Sequence, residues 1–264
     1  MPSAVVAAFL YIAVSVLQGR RSTQRSDTSA LPLYALAIAA LVLHGYAALT
    51  GMRSPEGVNF GLLHVMSLVF WLINLTLLVS FNWRPLQNLM VILFPWSALI
   101  VLAGGVSHSN SQISGDLSAG MLMHIGTSVL AYAVLTIAAC QAATIAYQDR
   151  QLHRRQTRGL VALLPPLQLM ETMLFEIVWV GIALLTIAIG TGLVFLDDMF
   201  AQHLVHKTVL SLSAWSLFAT LLWGRHFLGW RSQVAARFTL IGFAFLMLAY
   251  AGSKFVLETL LANG

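Results

Sequence analysis

Charge is what this chain has least of. Only 9% of its 264 residues are charged, against about 25% in a soluble globular domain, which excludes a water-soluble enzyme. There is a single cysteine, Cys140, inside an apolar run; an intramolecular disulfide and a CxxC thiol-exchange pair are therefore excluded as well. Polar stretches long enough to form a linker or an extramembrane domain are missing, as are internal repeats and low-complexity tracts. So are the motifs of common catalysis: no nucleophile elbow, no zinc-protease helix motif, no phosphate-cradling loop and no acid/base pair of carboxylates. The expectation is a binder or carrier and not an enzyme.

What fills the chain is hydrophobic residues, 59% of the total, with a mean hydropathy of +0.83. A bilayer core about 30 Å thick is crossed by about 20 apolar residues in a helix. Apolar runs cover residues 3–18, 31–52, 58–81, 87–104, 119–147, 173–195, 208–224 and 238–260. The expected fold is all-α, a polytopic transmembrane helical bundle of eight spans in one membrane domain, with four spans in residues 1–118 and four in 119–264. The first run has no basic segment before it and its arginines after it, the reverse of a cleaved signal peptide, so it is expected to stay as a span.

The net charge of +5 follows topology rather than nucleic-acid binding. Placing the first, third, fifth and seventh breaks inside the cell puts eleven arginines there, among them Arg20, Arg21, Arg84, Arg150, Arg154 and Arg231. Only Arg53, Lys207 and Lys254 remain outside. Both termini are then expected outside, with Trp83 and Trp230 at inner boundaries, where amphipathic rings prefer to sit. Within residues 160–175, Pro165 and Pro166 prevent a continuous helix. Two readings of that stretch stand open: a short amphipathic segment in the inner interface, or a long apolar lead-in to the sixth span.

The histidines are the informative polar residues. His44, His64 and His124 fall about eight, six and five residues from the outer ends of their spans, about 8 to 12 Å deep at 1.5 Å per residue. His203 and His206 sit at the outer mouth of the seventh span, and His108 in another outer loop. Neutral imidazoles at one depth on several helices are what an axial-ligand or metal site requires. For any one of them alone a helix-to-helix hydrogen bond is the commoner use, and it is the three at similar depth that point to a site. Gly126, Ser128 and Ala131 keep the His124 helix slim, and Tyr132 lies on nearly the same face. Arg53 and Lys207 are outer cations suited to pair with the propionates of a haem. Glu171 and Glu176, near the inner end of the sixth span, are expected to pair with the basic inner loops or to line a cation route.

Four segments of the second half carry a family resemblance. HIGTSVLAYAVLTIAA (124–139) resembles the His-to-Tyr helix that opens the conserved region of the cytochrome c assembly family, the CcsA and CcmC type of haem-handling membrane proteins. LPPLQLMETMLFEIVWVGIALLTIAIGTGLVF (164–195) resembles its next segment. HKTVLSLSAWSLFATLLWGRHFLGWR (206–231) places Lys207, Trp215 and the Gly229-Trp230-Arg231 inner-loop signature in register, and IGFAFLMLAYAGSKF (241–255) resembles the last span. The likeness covers roughly residues 120–260 and is similar to the YpjD-type inner-membrane subgroup of Gram-negative bacteria.

This resemblance implies a bacterial inner-membrane location, a non-covalent b-type haem and His124 as an axial ligand of its iron. It is incomplete. Where haem-handling members carry a tryptophan-rich WWD motif, residues 195–209 read FLDDMFAQHLVHKTV, with no tryptophan, and the family's C-terminal outer histidine falls at about Leu261. A second ligand would come from His44, His64, His203 or His206. Two functions follow as alternatives: a haem-binding or haem-handling protein of cytochrome c assembly, or a haem-free accessory or scaffold subunit of another membrane protein, such as a divalent-cation transporter. The expected partners are the lipid bilayer, haem and a membrane protein, with no nucleic acid.

Overall fold

The computed structural model describes residues 1–24, 31–54, 57–59, 61–80, 86–107, 112–113, 118–156, 161–162, 164–195 and 205–252. Among these lie eight helices long and apolar enough to cross a membrane, as the hydropathy pattern predicts. The chain divides into two compact units, residues 1–116 and 117–264.

The first unit holds α1 (Pro2–Gln24), α2 (Leu31–Met52), α3 (Leu62–Ser80) and α4 (Asn88–Val106). α1 packs mainly on α4 and α2, and α3 on α4 and α2, which closes a four-helix arrangement. The buried stripe of α1 is Ala4, Ala7, Ala8, Tyr11, Val14, Ser15 and Gln18, at helical spacing, while Phe9 on the opposite face is 74% exposed. Lipid is as apolar as leucine, so burial here selects small and hydrogen-bonding residues rather than the most hydrophobic ones. Pro95 inside α4 has no N–H to offer the Val91 carbonyl one turn back. Ser15 Oγ of α1 donates to that carbonyl at 3.1 Å and makes good the loss. At one end of the unit three short antiparallel strands, β1 (Arg53–Ser54), β2 (Gly57–Asn59) and β3 (Gln112–Ile113), pair in the order β1-β2-β3. The register sets Arg53 opposite Val58 and Val58 opposite Ile113. Residues 57–59 are thus strand, and the third span begins at Leu62, four residues later than the apolar run suggests.

The second unit holds α5 (Ala119–His153), α6 (Leu167–Phe195), α7 (Val205–Leu228) and α8 (Ser232–Met247), the last running into a π-helical turn, Leu248–Gly252. α5, at 35 residues, is about 52 Å long, well beyond one hydrocarbon core. It packs along α6 and α8, and α7 packs on α8 and α6. The core joins Leu135, Ala138, Ala142 and Ile145 of α5 to Met170, Leu174, Val178, Ile182 and Leu185 of α6, with Phe218 of α7 and Ala235 of α8. Close approach of α5 and α6 falls at Gly181, where a Cβ would lie 2.4 Å from a Leu135 methyl. The Gly126 position, expected to serve close approach, has nothing within 4 Å.

Pro165 and Pro166 do break the chain, since α6 starts at Leu167 with Leu169 N–H and Met170 N–H bonded to the Pro166 carbonyl. Residues 167–172 are the first turns of α6 itself, so that part is the lead-in and not a separate segment. The α7–α8 elbow turns at Gly229, whose φ of +66° only glycine adopts freely. Trp230 N–H reaches back to the Gly224 carbonyl at 3.2 Å, and its indole covers Gly224 so tightly that a Cβ there would sit 2.3 Å from the ring. Trp230 is accordingly packed into the corner of the elbow, at the end of two spans; Trp83 lies outside the described residues.

The orientation rests on the arginine distribution. Reporter fusions after residues 28, 152 and 232 should score cytoplasmic, and fusions after 112 and 264 periplasmic. Inversion at two of these positions would overturn the frame.

Candidate functional site

His124 lies in the second turn of α5, whose N-terminus is capped by Ser118 Oγ accepting from Met121 N–H. Its Nδ1 is 2.8 Å from the carbonyl oxygen of Ala188 on α6. A carbonyl only accepts, so Nδ1 carries a proton, and in the tautomer this contact selects the lone pair lies on Nε2. A metal-binding histidine is commonly held in this way, with one nitrogen fixed by a backbone carbonyl and the other free to ligate. The side chain is half-buried. Two residues before Ala188, Thr186 Oγ1 accepts from Trp215 Nε1 of α7 at 2.8 Å, so the same stretch of α6 is gripped from both sides. Tyr132 turns to another neighbour and donates to the Leu246 carbonyl of α8 at 2.9 Å.

Of the other expected site residues in this unit, His206 is exposed in the first turn of α7, and Lys207 beside it is half-buried and engaged with a neighbour. His203, Asp197, Asp198, Lys254 and Glu258 lie outside the described residues, as does His108 of the first unit. Glu171 departs from the expected pairing with basic loops. It is buried, and its Oε1 accepts both the N–H and the hydroxyl of Ser232 at the start of α8.

In the first unit the two histidines have different settings. His44, eight residues from the end of α2, is 0% exposed; Tyr11 Oη lies 3.1 Å from its Nδ1 and Ser67 Oγ 3.0 Å from its Nε2. Both ring nitrogens are therefore occupied, and neither is open to a ligand in this arrangement. Ser97 Oγ donates to Asn74 Oδ1 at 3.1 Å, also fully buried. The two clusters place polar groups from all four helices inside the unit, with each hydroxyl or ring nitrogen drawing helices together. Tyr11, Ser67, Asn74, Ser97 and Thr186 are not among the residues that the sequence singled out. Asn74 within an otherwise apolar run was the signal available.

His64 sits in the first turn of α3, nearer its helix end than expected because β2 takes up residues 57–59. It is 5% exposed, and its Nδ1 is buried without a hydrogen-bond partner, at a cost of about 1 to 3 kcal/mol for an unsatisfied group. It lines a pocket of about 450 Å³ with Met1, Ala4, Ala47, Thr50, Gly51, Asn59, Gly104, Gly105 and Ser107. Arg53, just beyond α2, is exposed. Among the described residues no three His, Cys, Asp or Glu side chains gather as a metal cluster.

The sequence profile described as "Cytochrome C assembly protein" matches residues 30–261. The chain belongs to the cytochrome c assembly protein family. The match extends well upstream of the four recognised segments and takes in α2, α3 and α4 of the first unit, while α1 lies before it. "Inner membrane protein YpjD" of Escherichia coli K12 is 36% identical over 224 residues, 83% of this chain and 84% of that protein. An "Uncharacterized 28.8 kDa protein in nifR3-like 5'region" of Azospirillum brasilense is 34% identical over 141 residues, 53% of this chain and 52% of that one. No solved structure matches the chain significantly. With eight candidate spans and such relatives, this member of the assembly family is a multi-pass protein of the inner membrane.

Proposed function

We propose that this member of the cytochrome c assembly family binds and hands on haem in the inner membrane, as a carrier and not as a catalyst. His124 would supply one axial ligand through Nε2. The observation that carries this reading is the Nδ1 contact to the Ala188 carbonyl, which sets the ring in the tautomer able to ligate iron and holds it there. Haem would supply the iron centre, and the chain's own part is to orient one imidazole and keep it half-shielded from water. The haem is of the non-covalent b type. Cys140 is a lone thiol and cannot provide the pair of thioether links of a c-type haem. Lys207, in the first turn of α7, is the proposed propionate partner, with His206 or His203 as the source of a second ligand in the same half of the chain.

The test is an absorbance spectrum of protein purified gently from haem-replete cells. A Soret band and a pyridine haemochrome of the b type support the proposal. Haem-free protein would favour the second reading, a scaffold or accessory subunit. Two facts speak for that alternative: residues 195–209 contain no tryptophan, and a His124–Ala188 bond is also a sufficient helix clamp in its own right.

A further inference from the structure

The Ala188 carbonyl that holds His124 has a second side-chain contact. Thr191 Oγ1, buried one turn further along α6, lies 3.0 Å from the same oxygen and 2.8 Å from the Ile187 carbonyl. Thr172 and Thr186, also on α6, donate to the carbonyl four residues back, at 3.0 Å and 2.7 Å. Thr191 differs from both in reaching the carbonyl three residues back as well. A hydroxyl has one proton, so at any moment Thr191 donates to Ile187 or to Ala188.

We propose that Thr191 is a positioning residue for His124: by donating to the Ala188 oxygen it weakens the Nδ1–H bond of the imidazole and so makes Nε2 a ligand that releases iron readily. The inference rests on the haem reading of His124 and names how that ligand is regulated. A carbonyl oxygen has two lone pairs. Because α6 is helical to Phe195, Gly192 N–H, four residues on, is the helical donor to Ala188. One lone pair then remains for two side chains, the half-buried imidazole at 2.8 Å and the buried hydroxyl at 3.0 Å. Each donor that draws on this oxygen leaves it a poorer acceptor for the other. The hydrogen bond on the far nitrogen sets the basicity of a ligating histidine. A strong acceptor at Nδ1–H makes Nε2 electron-rich, and a weakened acceptor loosens its hold. A carrier has to give up what it binds, so a hydroxyl at this position serves release, where a valine of the same shape would serve retention.

The experiment compares Thr191→Val, which keeps the shape and removes the hydroxyl, with Thr191→Ser, which keeps the hydroxyl. The full chain, with its histidines labelled with the heavy nitrogen isotope, is held in nanodiscs for nuclear magnetic resonance. The His124 signals are those absent from His124→Asn. In haem-free protein the Nδ1 and its proton should move downfield in Thr191→Val and keep the wild-type position in Thr191→Ser. Loaded with haem, Thr191→Val should pass it to apomyoglobin about twofold to tenfold more slowly than the wild type, the equivalent of one ordinary hydrogen bond. Thr191→Ala also lacks the hydroxyl and gives the same readout if the valine variant does not fold. Unchanged or upfield His124 signals in the folded hydroxyl-free variants, or an equal shift in Thr191→Ser, would overturn the proposal. So would a downfield shift with unchanged haem release. Protein that takes up no haem would overturn the haem reading itself, while the resonance positions, recorded without haem, still decide whether Thr191 governs the His124 bond.

Discussion

His124→Asn is expected to fold like the wild type and to lose the axial ligation of haem. An asparagine amide places its N–H near the position of the imidazole Nδ1, so it still donates to the Ala188 carbonyl and keeps α5 clamped to α6. It has nothing at the position of Nε2. The Soret band of the purified protein should shift and haem occupancy should fall severely, while thermal stability in detergent changes little. His124→Ala removes both functions of the ring, so it should lose haem and some stability together. Lys207→Ala, by contrast, takes away at most one propionate contact, worth about 1.5 to 3 kcal/mol. It should weaken haem retention with the ligation spectrum intact. An unchanged haem spectrum in folded His124→Asn would refute the ligand assignment and leave His124 as a helix clamp.

Glu171→Ala should be among the most destabilising single changes in the second unit. Ser232 begins α8 with φ of +39°, a left-handed conformation that a non-glycine residue holds at a cost of about 1 to 3 kcal/mol. Its N–H and hydroxyl both donate to the buried Glu171 Oε1, which also sets a carboxylate at a helix N-terminus. Alanine leaves both donors unsatisfied, and the expected loss is about 2 to 4 kcal/mol, read as a lower melting temperature in detergent. Glu171→Gln keeps an acceptor oxygen in the same place and should recover most of it. Equal melting temperatures for the two variants would show that the carboxylate acts some other way, for example through its charge alone.

The eight spans were legible in the sequence because a helix in lipid must satisfy its own backbone, and the only mark this requires is a sufficient apolar length. That criterion does not depend on tertiary contacts, and the runs at 31–52 and 119–147 locate α2 and α5 closely. Pro165 and Pro166 fixed the start of α6 for an equally local reason, a missing N–H and a locked φ. Which face of each span turns inward was not legible. In water a hydrophobic stripe marks the core, but here Phe9 faces outward and Tyr11, Ser15 and Gln18 inward, because lipid competes for every apolar side chain and only close packing and hydrogen bonds distinguish the interior.

The same limit governs the site. Composition and spacing placed His44, His64 and His124 in one class, as intramembrane imidazoles at comparable depth. Tertiary structure separated them by their partners. His44 spends both nitrogens on Tyr11 and Ser67, His64 is left with an unpartnered Nδ1 beside a pocket, and His124 gives one nitrogen to Ala188 and keeps the other. Residues 33, 23 and 64 positions away in the chain decide what each ring can do. An imidazole's chemistry depends on which nitrogen carries the proton, and a neighbour brought up by the fold determines that.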